Sequence, residues 1–410
     1  PDSQRNIRDN TLGFIRELQK LSEGQLMTLT QFIVNRCFLI VVSVSTPDLD
    51  SVYRIFSVLN SRGLDLSYPD IIKAEIISTI PQDQQDEYAS KWEDIESILG
   101  SETFEDLFFH LRAIFSRKRA SKGLIEEFQE FVYPQRPQIS SPQDFIDKTL
   151  VPYANALNNI VKANYQQSSL KMEMAKEING MFRRLNQLDY ERWIAPALYY
   201  FFQNWRQPHL VLRFLKDLER LVVSFIVCRM PPYKRVERYC EILSSIYIKD
   251  DLYASHSPLQ LNHRECQDFL RMLNGDMYLM HHVCRYILLR LDDSLSEGTA
   301  SYDYETVSVE HVLPQRPSPE SKWVESFPTK EIHQKYVHRL GNLVLLSRGK
   351  NMKAENFDFD VKKDTYFRTK DGISSFVLTS QVLRHSKWTP TVIEQRQNEL
   401  MTALKQIWRL

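Results

Sequence analysis

Cysteine, glycine and long apolar runs are all scarce in this chain. The five cysteines (Cys37, Cys228, Cys240, Cys266 and Cys284) are odd in number and widely spaced, with no Cys-x-x-Cys pair. That pattern argues against a disulfide framework and against a cysteine zinc site, and leaves reduced thiols in a cytoplasmic protein as the expectation. Only 11 residues are glycine, which excludes collagen-like and flexible-linker composition. The longest apolar run, residues 37–44, is strand-sized and far short of the roughly 18 residues that a membrane helix needs, so no membrane partner is expected. The opening Pro1-Asp2-Ser3-Gln4-Arg5 has no signal-peptide character. An excess of charge is also missing: 52 Lys and Arg balance 52 Asp and Glu, which at first sight excludes a nucleic-acid partner.

What is present belongs to an ordinary globular protein, 43% hydrophobic and 25% charged. A chain of 410 residues suggests two or three domains of about 150 residues each. The balanced charge hides a split. From His311 to Leu410 there are 17 Lys and Arg against 10 Asp and Glu, so this tail carries +7 and the remainder −7. A basic tail can meet phosphates while the rest does not.

Helical periodicity dominates the first 300 residues, as in Leu12, Phe14, Ile15, Leu18 and Leu21, or in Phe214, Leu218, Leu221, Val222 and Phe225. The early exception is the β-branched run 37–44, which reads as a buried strand. An amphipathic helix over about 48–59 follows it, then a turn at Asn60-Ser61-Arg62-Gly63. The next helix starts near Ser67-Tyr68-Pro69-Asp70, where a Ser cap is followed three residues later by an acid, with Pro in the first turn. Pro- and Ser-containing breaks near residues 133–142 and 292–299 suggest segments 1–132, 133–300 and 301–410.

The tail changes character. Val307 and Val309 alternate with Ser308 and Glu310 in a short strand, Leu343-Val344-Leu345-Leu346 makes another, and a closing helix runs from about Thr391 to Trp408. The expected fold class is mainly α, with helical domains and a C-terminal ββα module.

Phosphodiester hydrolysis at a one-metal site needs a base to activate water, oxygen ligands for a hard divalent cation, and cations to position phosphate. The tail holds all three kinds. Glu310 and His311 end the first strand, inside Ser308-Val309-Glu310-His311-Val312-Leu313-Pro314-Gln315. Gly341-Asn342 opens the second strand, and Asn351, Lys353 and Lys362 follow it. Each has a plainer reading. A lone His at a strand end is more often structural, Asn342 could be a turn residue, Asn351 a helix cap, and the lysines a solvated face. The grouping of Glu310, His311, Pro314, Asn342 and Asn351 favours chemistry. Neighbours on a strand point to opposite faces, so Glu310 and His311 converge only if the strand ends there.

An acid-His-Val-x-Pro strand, a later Asn-Leu-x-Leu-Leu strand and a third Asn resembles the ββα-metal nuclease motif called HNH. That resemblance implies His311 as general base, Asn342 orienting its imidazole, and Glu310 with Asn351 holding a divalent metal, Mg or Mn by its ligand chemistry. Lys353, Arg339, Arg348 and Lys362 are the cations assigned to the DNA backbone. Ser347 and Lys350 stand where many HNH domains carry zinc cysteines, so no structural zinc is expected. The 31 positions between His311 and Asn342 leave room for an insertion with Trp323, Phe327 and Tyr336 beside the site. An ordinary His, with a pKa near about 6.5, predicts activity that rises from acid to neutral pH.

A narrower resemblance spans most of the chain. Phe56-Ser57-Val58-Leu59-Asn60-Ser61-Arg62-Gly63-Leu64-Asp65-Leu66-Ser67 with Asp70-Ile71-Ile72-Lys73-Ala74 resembles the later part of the N-terminal, ParB-like domain of GmrSD-type modification-dependent (type IV) restriction endonucleases. Tyr336-Val337-His338-Arg339-Leu340-Gly341-Asn342-Leu343, with the closing pattern of Trp388, Arg396 and Trp408, is similar to their nuclease domain. The resemblance implies a metal-dependent endonuclease of an anti-phage restriction system, acting on modified or foreign DNA. The Asp-Gly-Gln-Gln-Arg signature of the family's nucleotide domain is not in the sequence, so a nucleoside triphosphate is implied only together with a preceding segment, and no nucleotide-binding residue is assigned. One site per chain predicts a nick unless two chains act together as a homodimer. The competing expectation is a DNA- or modification-sensing module whose nuclease site is inactive.

Overall fold

A computed structural model describes residues 2–37, 67–133, 141–166, 172–188, 191–296, 307–347, 356–365, 367 and 376–410. The expected strand over 37–44, the helix over 48–59 and the Asn60-Gly63 turn lie outside the described residues. The chain divides into two compact units, Pro1–Ser116 with Ala120–Leu157, and Arg117–Arg119 with Asn158–Leu410.

The first unit is helical among its described residues, with α1 (Asp2–Leu18), α2 (Glu23–Arg36), α3 (Tyr68–Ser78), α4 (Gln85–Leu99), α5 (Ser101–Ser116) and α6 (Leu124–Phe131). The start of α3 is the one its sequence announces. Ser67 accepts from Asp70 N, the Asp70 carboxylate accepts from Ser67 N, and Pro69 fills the first turn where no N–H is needed. Trp92, Phe104, Phe108 and Phe128 bury one aromatic core, in edge and tilted contacts of 5.3–5.8 Å between centroids. The apolar stripe of α1 does not join it: Phe14 is 71% exposed and Leu12, Ile15 and Leu18 are also exposed. Periodicity reports that a helix has an apolar face, not that a partner covers it.

In the second unit the described helices include α7 (Met172–Leu185), α8 (Ile194–Asn204), α9 (Pro208–Val227), α10 (Pro232–Ile248), α11 (His263–Leu273), α12 (His281–Leu295), α13 (Lys330–Val337), α14 (Phe359–Thr365), α15 (Val377–Val382) and α16 (Pro390–Trp408). The stripe expected on α9 is buried here, since Phe214, Leu218, Leu221, Val222 and Phe225 are nearly inaccessible. Two strands, β1 (Val307–His311) and β2 (Leu343–Ser347), form an antiparallel pair with Val307 opposite Ser347 and His311 opposite Leu343. The protein is thus mainly α with one two-stranded sheet among the described residues, and the small helix α14 follows the strands to give a ββα order.

Helices from both sides of residue 300 serve this sheet. α12 packs on both strands as well as on α15 and α16, so the helical part before residue 300 and the tail share one core. The connection between the strands packs as expected: Trp323, Phe327 and Tyr336 join Val312, Val344, Phe359, Trp388 and Ile393 in one buried cluster. α16 is capped by Thr389, with Pro390 in its first turn, and it presses directly on the turn before β2. A Cβ on Gly341 would lie 2.4 Å from Ile393 O, so only glycine fits there.

Candidate functional site

His311 is placed by β1. Its imidazole is 5% exposed and lies against Tyr278, with ring centroids 4.0 Å apart at 65°. Tyr278 in turn stacks on His338, its ring nearly parallel at 5.6 Å, and its backbone N–H donates to His338 O at 3.0 Å. The ring of His338 lies 5.6 Å from that of His311. Buried polar atoms nearly always have partners, yet His311 Nε2 and His338 Nδ1 have none among the described residues. On the other ring nitrogen, the Gln315 side-chain amide lies 3.4 Å from His311 Nδ1. The atom that faces Nδ1 is the amide nitrogen, a donor, so in this arrangement Nδ1 accepts and Nε2 carries the proton; turning the Gln315 amide by 180° would reverse the tautomer and give Nε2 the lone pair. Burial, helped by the neighbouring His338, Lys362 and His333, pushes His311 down to about 3. The imidazole is therefore neutral, and the acid-to-neutral rise in activity expected from an ordinary His is corrected: in the free protein that titration is moved far below pH 6.

Glu310 meets different surroundings. Lys362 Nζ on α14 donates to Glu310 Oε1 at 2.6 Å and to the backbone O of His311 at 2.7 Å. Burial raises the Glu310 pKa against the opposing effect of Lys362, and burial lowers that of Lys362 against the opposing effect of Glu310. Lys362 is 0% exposed, which corrects its assignment to the DNA backbone. A helical Lys at a basic tail's surface was expected, but α14 turns this one inward as the counter-charge of a buried acid.

Asn342 is also fully buried, and its side chain does not reach the imidazole. Its Nδ2 donates to Leu313 O at 3.0 Å and Val337 O at 2.9 Å, while its Oδ1 accepts from Leu313 N at 2.8 Å and Trp388 Nε1 at 3.0 Å. The expected imidazole contact is thereby corrected. The amide uses its hydrogen-bonding capacity to pin the chain two residues after His311, and so fixes the end of β1 indirectly. Arg396 of α16 adds a second clamp, donating to Gly341 O, Leu343 O and Leu378 O at 2.7–3.1 Å. Arg339 is half-buried and donates to Asn274 Oδ1 at 3.0 Å, which also accepts from Gln397. Arg348, Asn351 and Lys353 lie outside the described residues.

The strand runs through His311, so Glu310 and His311 take opposite sides of β1. Among the described residues no group of three or more His, Cys, Asp or Glu side chains gathers as a metal site. With Glu310 Oε1 committed to Lys362, the described residues do not form the expected cation site as arranged.

Sequence reasoning missed Tyr278, His338 as a neighbour of the base, and Asn274. Tyr278 lies 33 positions before His311, in a short 3-10 turn after Gly275-Asp276, and no spacing rule connects the two. Gln315 was visible in the quoted stretch, four residues after His311, without a role attached.

Residues 265–403 match the family model described as GmrSD restriction endonucleases, C-terminal domain. The match lies wholly within the second unit and spans α12, both strands and most of α16. This part of the chain is similar to that restriction-endonuclease domain. It begins well ahead of residue 301, in keeping with the packing of α12 on the strands. No curated protein matches the chain. No helix among the described residues is long and apolar enough to cross a membrane.

Proposed function

We propose that the second unit is an HNH-type DNA endonuclease, hydrolysing phosphodiester bonds in modified or foreign DNA as part of a bacterial anti-phage restriction system. The observation that carries the reading is His311 Nε2: a buried imidazole nitrogen with no partner among the described residues, at a strand end braced by Asn342 and Arg396. Structural histidines are buried with their nitrogens satisfied. One left open inside a domain that matches a restriction-endonuclease family is placed to take a proton.

In this mechanism a water attacks the phosphorus of the scissile phosphate and gives its proton to His311 Nε2, the new P–O bond forming as the bond to the leaving sugar oxygen breaks. For this step the Gln315 amide turns its oxygen to Nδ1–H, which frees Nε2 to accept, while Tyr278 and His338 fix the plane of the ring. The phosphate anion that approaches the ring raises the imidazole's proton affinity from its low free-state value, which suits a base that must be neutral beforehand and protonated afterwards. A divalent cation, Mg or Mn, would supply charge compensation at the phosphate when bound. Of the two residues assigned to it, Glu310 is paired with Lys362 on the side of β1 away from His311, so the described residues as arranged do not fit it.

The engagement of Glu310 by Lys362 favours a second reading, in which the unit binds DNA without cutting it. Supercoiled plasmid, unmodified and phage-modified, incubated with Mg or Mn separates the two. The proposal expects nicking or linearisation by the parent chain and none by His311→Ala. If both proteins bind DNA alike and neither cuts it, the sensing reading replaces the nuclease.

A further inference from the structure

Beside the base, a cleft of about 450 Å³ opens between the first two turns of α12 and β1. We propose that it holds one nucleotide of the DNA strand being cut, next to the scissile phosphate. This rests on the nuclease reading and adds to it a binding subsite outside the motif residues.

Four observations carry the assignment. First, the cleft adjoins the base. Tyr278 forms part of its wall and touches the His311 ring at 4.0 Å. Val307, Ser308 and Val309 at the start of the same strand also line it. Val309 is two residues from His311, roughly 7 Å along the strand, a distance that an adjoining nucleotide spans. Second, its charge has one sign. His281, His282 and Arg285 of α12 line it and are exposed, and no lining residue among the described ones is acidic. Arg285 has no ion-pair partner among the described residues. Third, α12 begins without a side-chain cap and without an acid in its first turn, so its first N–H groups and the positive end of its dipole remain open on the same side as these cations. Fourth, size and lining suit a nucleotide rather than a duplex. The volume is that of a small-ligand pocket, and Tyr278 offers an aromatic wall for a base or sugar while Arg285 and His282 meet the phosphate.

The test uses the full chain in the His311→Ala background, so that DNA stays intact, and reads anisotropy of a labelled 5′-phosphorylated oligonucleotide over a salt series. Arg285→Glu is expected to weaken binding about tenfold or more, as loss of a charge-assisted contact does, and to reduce the salt slope by about 1. Arg285→Lys is expected to restore the slope. Arg264→Glu, an equal charge change at a fully exposed position on α11, is the control and should shift binding little. Equal losses from Arg285→Glu and Arg264→Glu, or no loss from either, overturn the cleft. Plasmid cutting by the parent chain is scored separately. If the parent cuts while Arg285→Glu binds normally, the cleft fails and the nuclease stands. If binding depends on Arg285 and nothing is cut, the cleft stands as a DNA subsite and the nuclease reading fails.

Discussion

Two buried polar clusters in the second unit use the same kinds of residue for opposite ends. On α9, Glu219 is 1% exposed, and its Oε1 accepts from Tyr286 at 2.6 Å and from Arg290 at 2.9 Å. Arg184 and Asp293 close the group with an ion pair at 2.9 Å, so two cations face two anions. At the end of β1, His311 is buried almost as deeply but has an open nitrogen. In the first cluster each charge faces an opposite one, although Arg184 Nε, like His311 Nε2, has no partner among the described residues. Burial with a nitrogen left open costs stability and is retained where chemistry needs it.

The largest effects should break this comparison cleanly. His311→Ala is expected to lower the cleavage rate on the order of 10²–10⁴-fold, with the melting temperature unchanged or slightly raised, because an unsatisfied buried group is removed. A rate loss that merely tracks unfolding in circular dichroism would place His311 with the structural cluster. Arg290→Met is expected to do the reverse. It strands Glu219 in the interior and should cost about 3–5 kcal/mol in urea unfolding, while the folded fraction cuts DNA at the parental rate.

Lys362→Met tests the face of β1 between these extremes. Removing the ammonium leaves Glu310 buried without its counter-charge, at a cost of about 3 kcal/mol. Adding Glu310→Gln should recover part of it, since the uncompensated charge then goes too. A double-mutant cycle with no coupling between positions 310 and 362 would sink the ion pair as a structural device. Asn342→Ala is smaller and mixed: it unpairs the buried Leu313 and Val337 backbone groups and the Trp388 N–H, about 1–3 kcal/mol, and should lower the cleavage rate only as far as β1 frays.

The same contrast explains how much was legible beforehand. The two tail strands, the closing helix α16 and the Ser67 cap were readable because period, cap chemistry and proline placement are local, whereas the Thr389 cap of α16 was not read. The positions of His311 at the end of β1 and Asn342 before β2 were readable because the motif order is local to each strand. What Asn342 bonds to was not, since Leu313 and Trp388 are 29 and 46 positions away. Lys362 is the instructive failure. A lysine in a basic tail reads as solvated, and only the fold reveals that α14 carries it beneath β1 to a buried carboxylate. Tyr278 was hidden because the helical segment before residue 300 contributes to the same core as the tail, a union that composition does not announce.

The smallest expected effect is a pH slope, and it sharpens the comparison most. His311 sits at about 3 in the folded protein, against about 6.5 when unfolded. Between these values the unfolded chain binds a proton that the folded chain refuses, so stability must fall as pH drops below about 6.5 and the loss is complete only near 3. At pH 5 the cost is about 1–2 kcal/mol. Urea unfolding of the parent and of His311→Asn at pH 7.5 and pH 5 isolates it: the parent should lose more stability on acidification, and the difference between the two proteins is the His311 contribution. DNA should shrink that difference, because a phosphate against the ring favours the imidazolium and draws the folded pKa up toward the unfolded one. Parallel slopes for both proteins, with and without DNA, would mean that the open nitrogen is solvated and that His311 is no more special than the residues around Glu219.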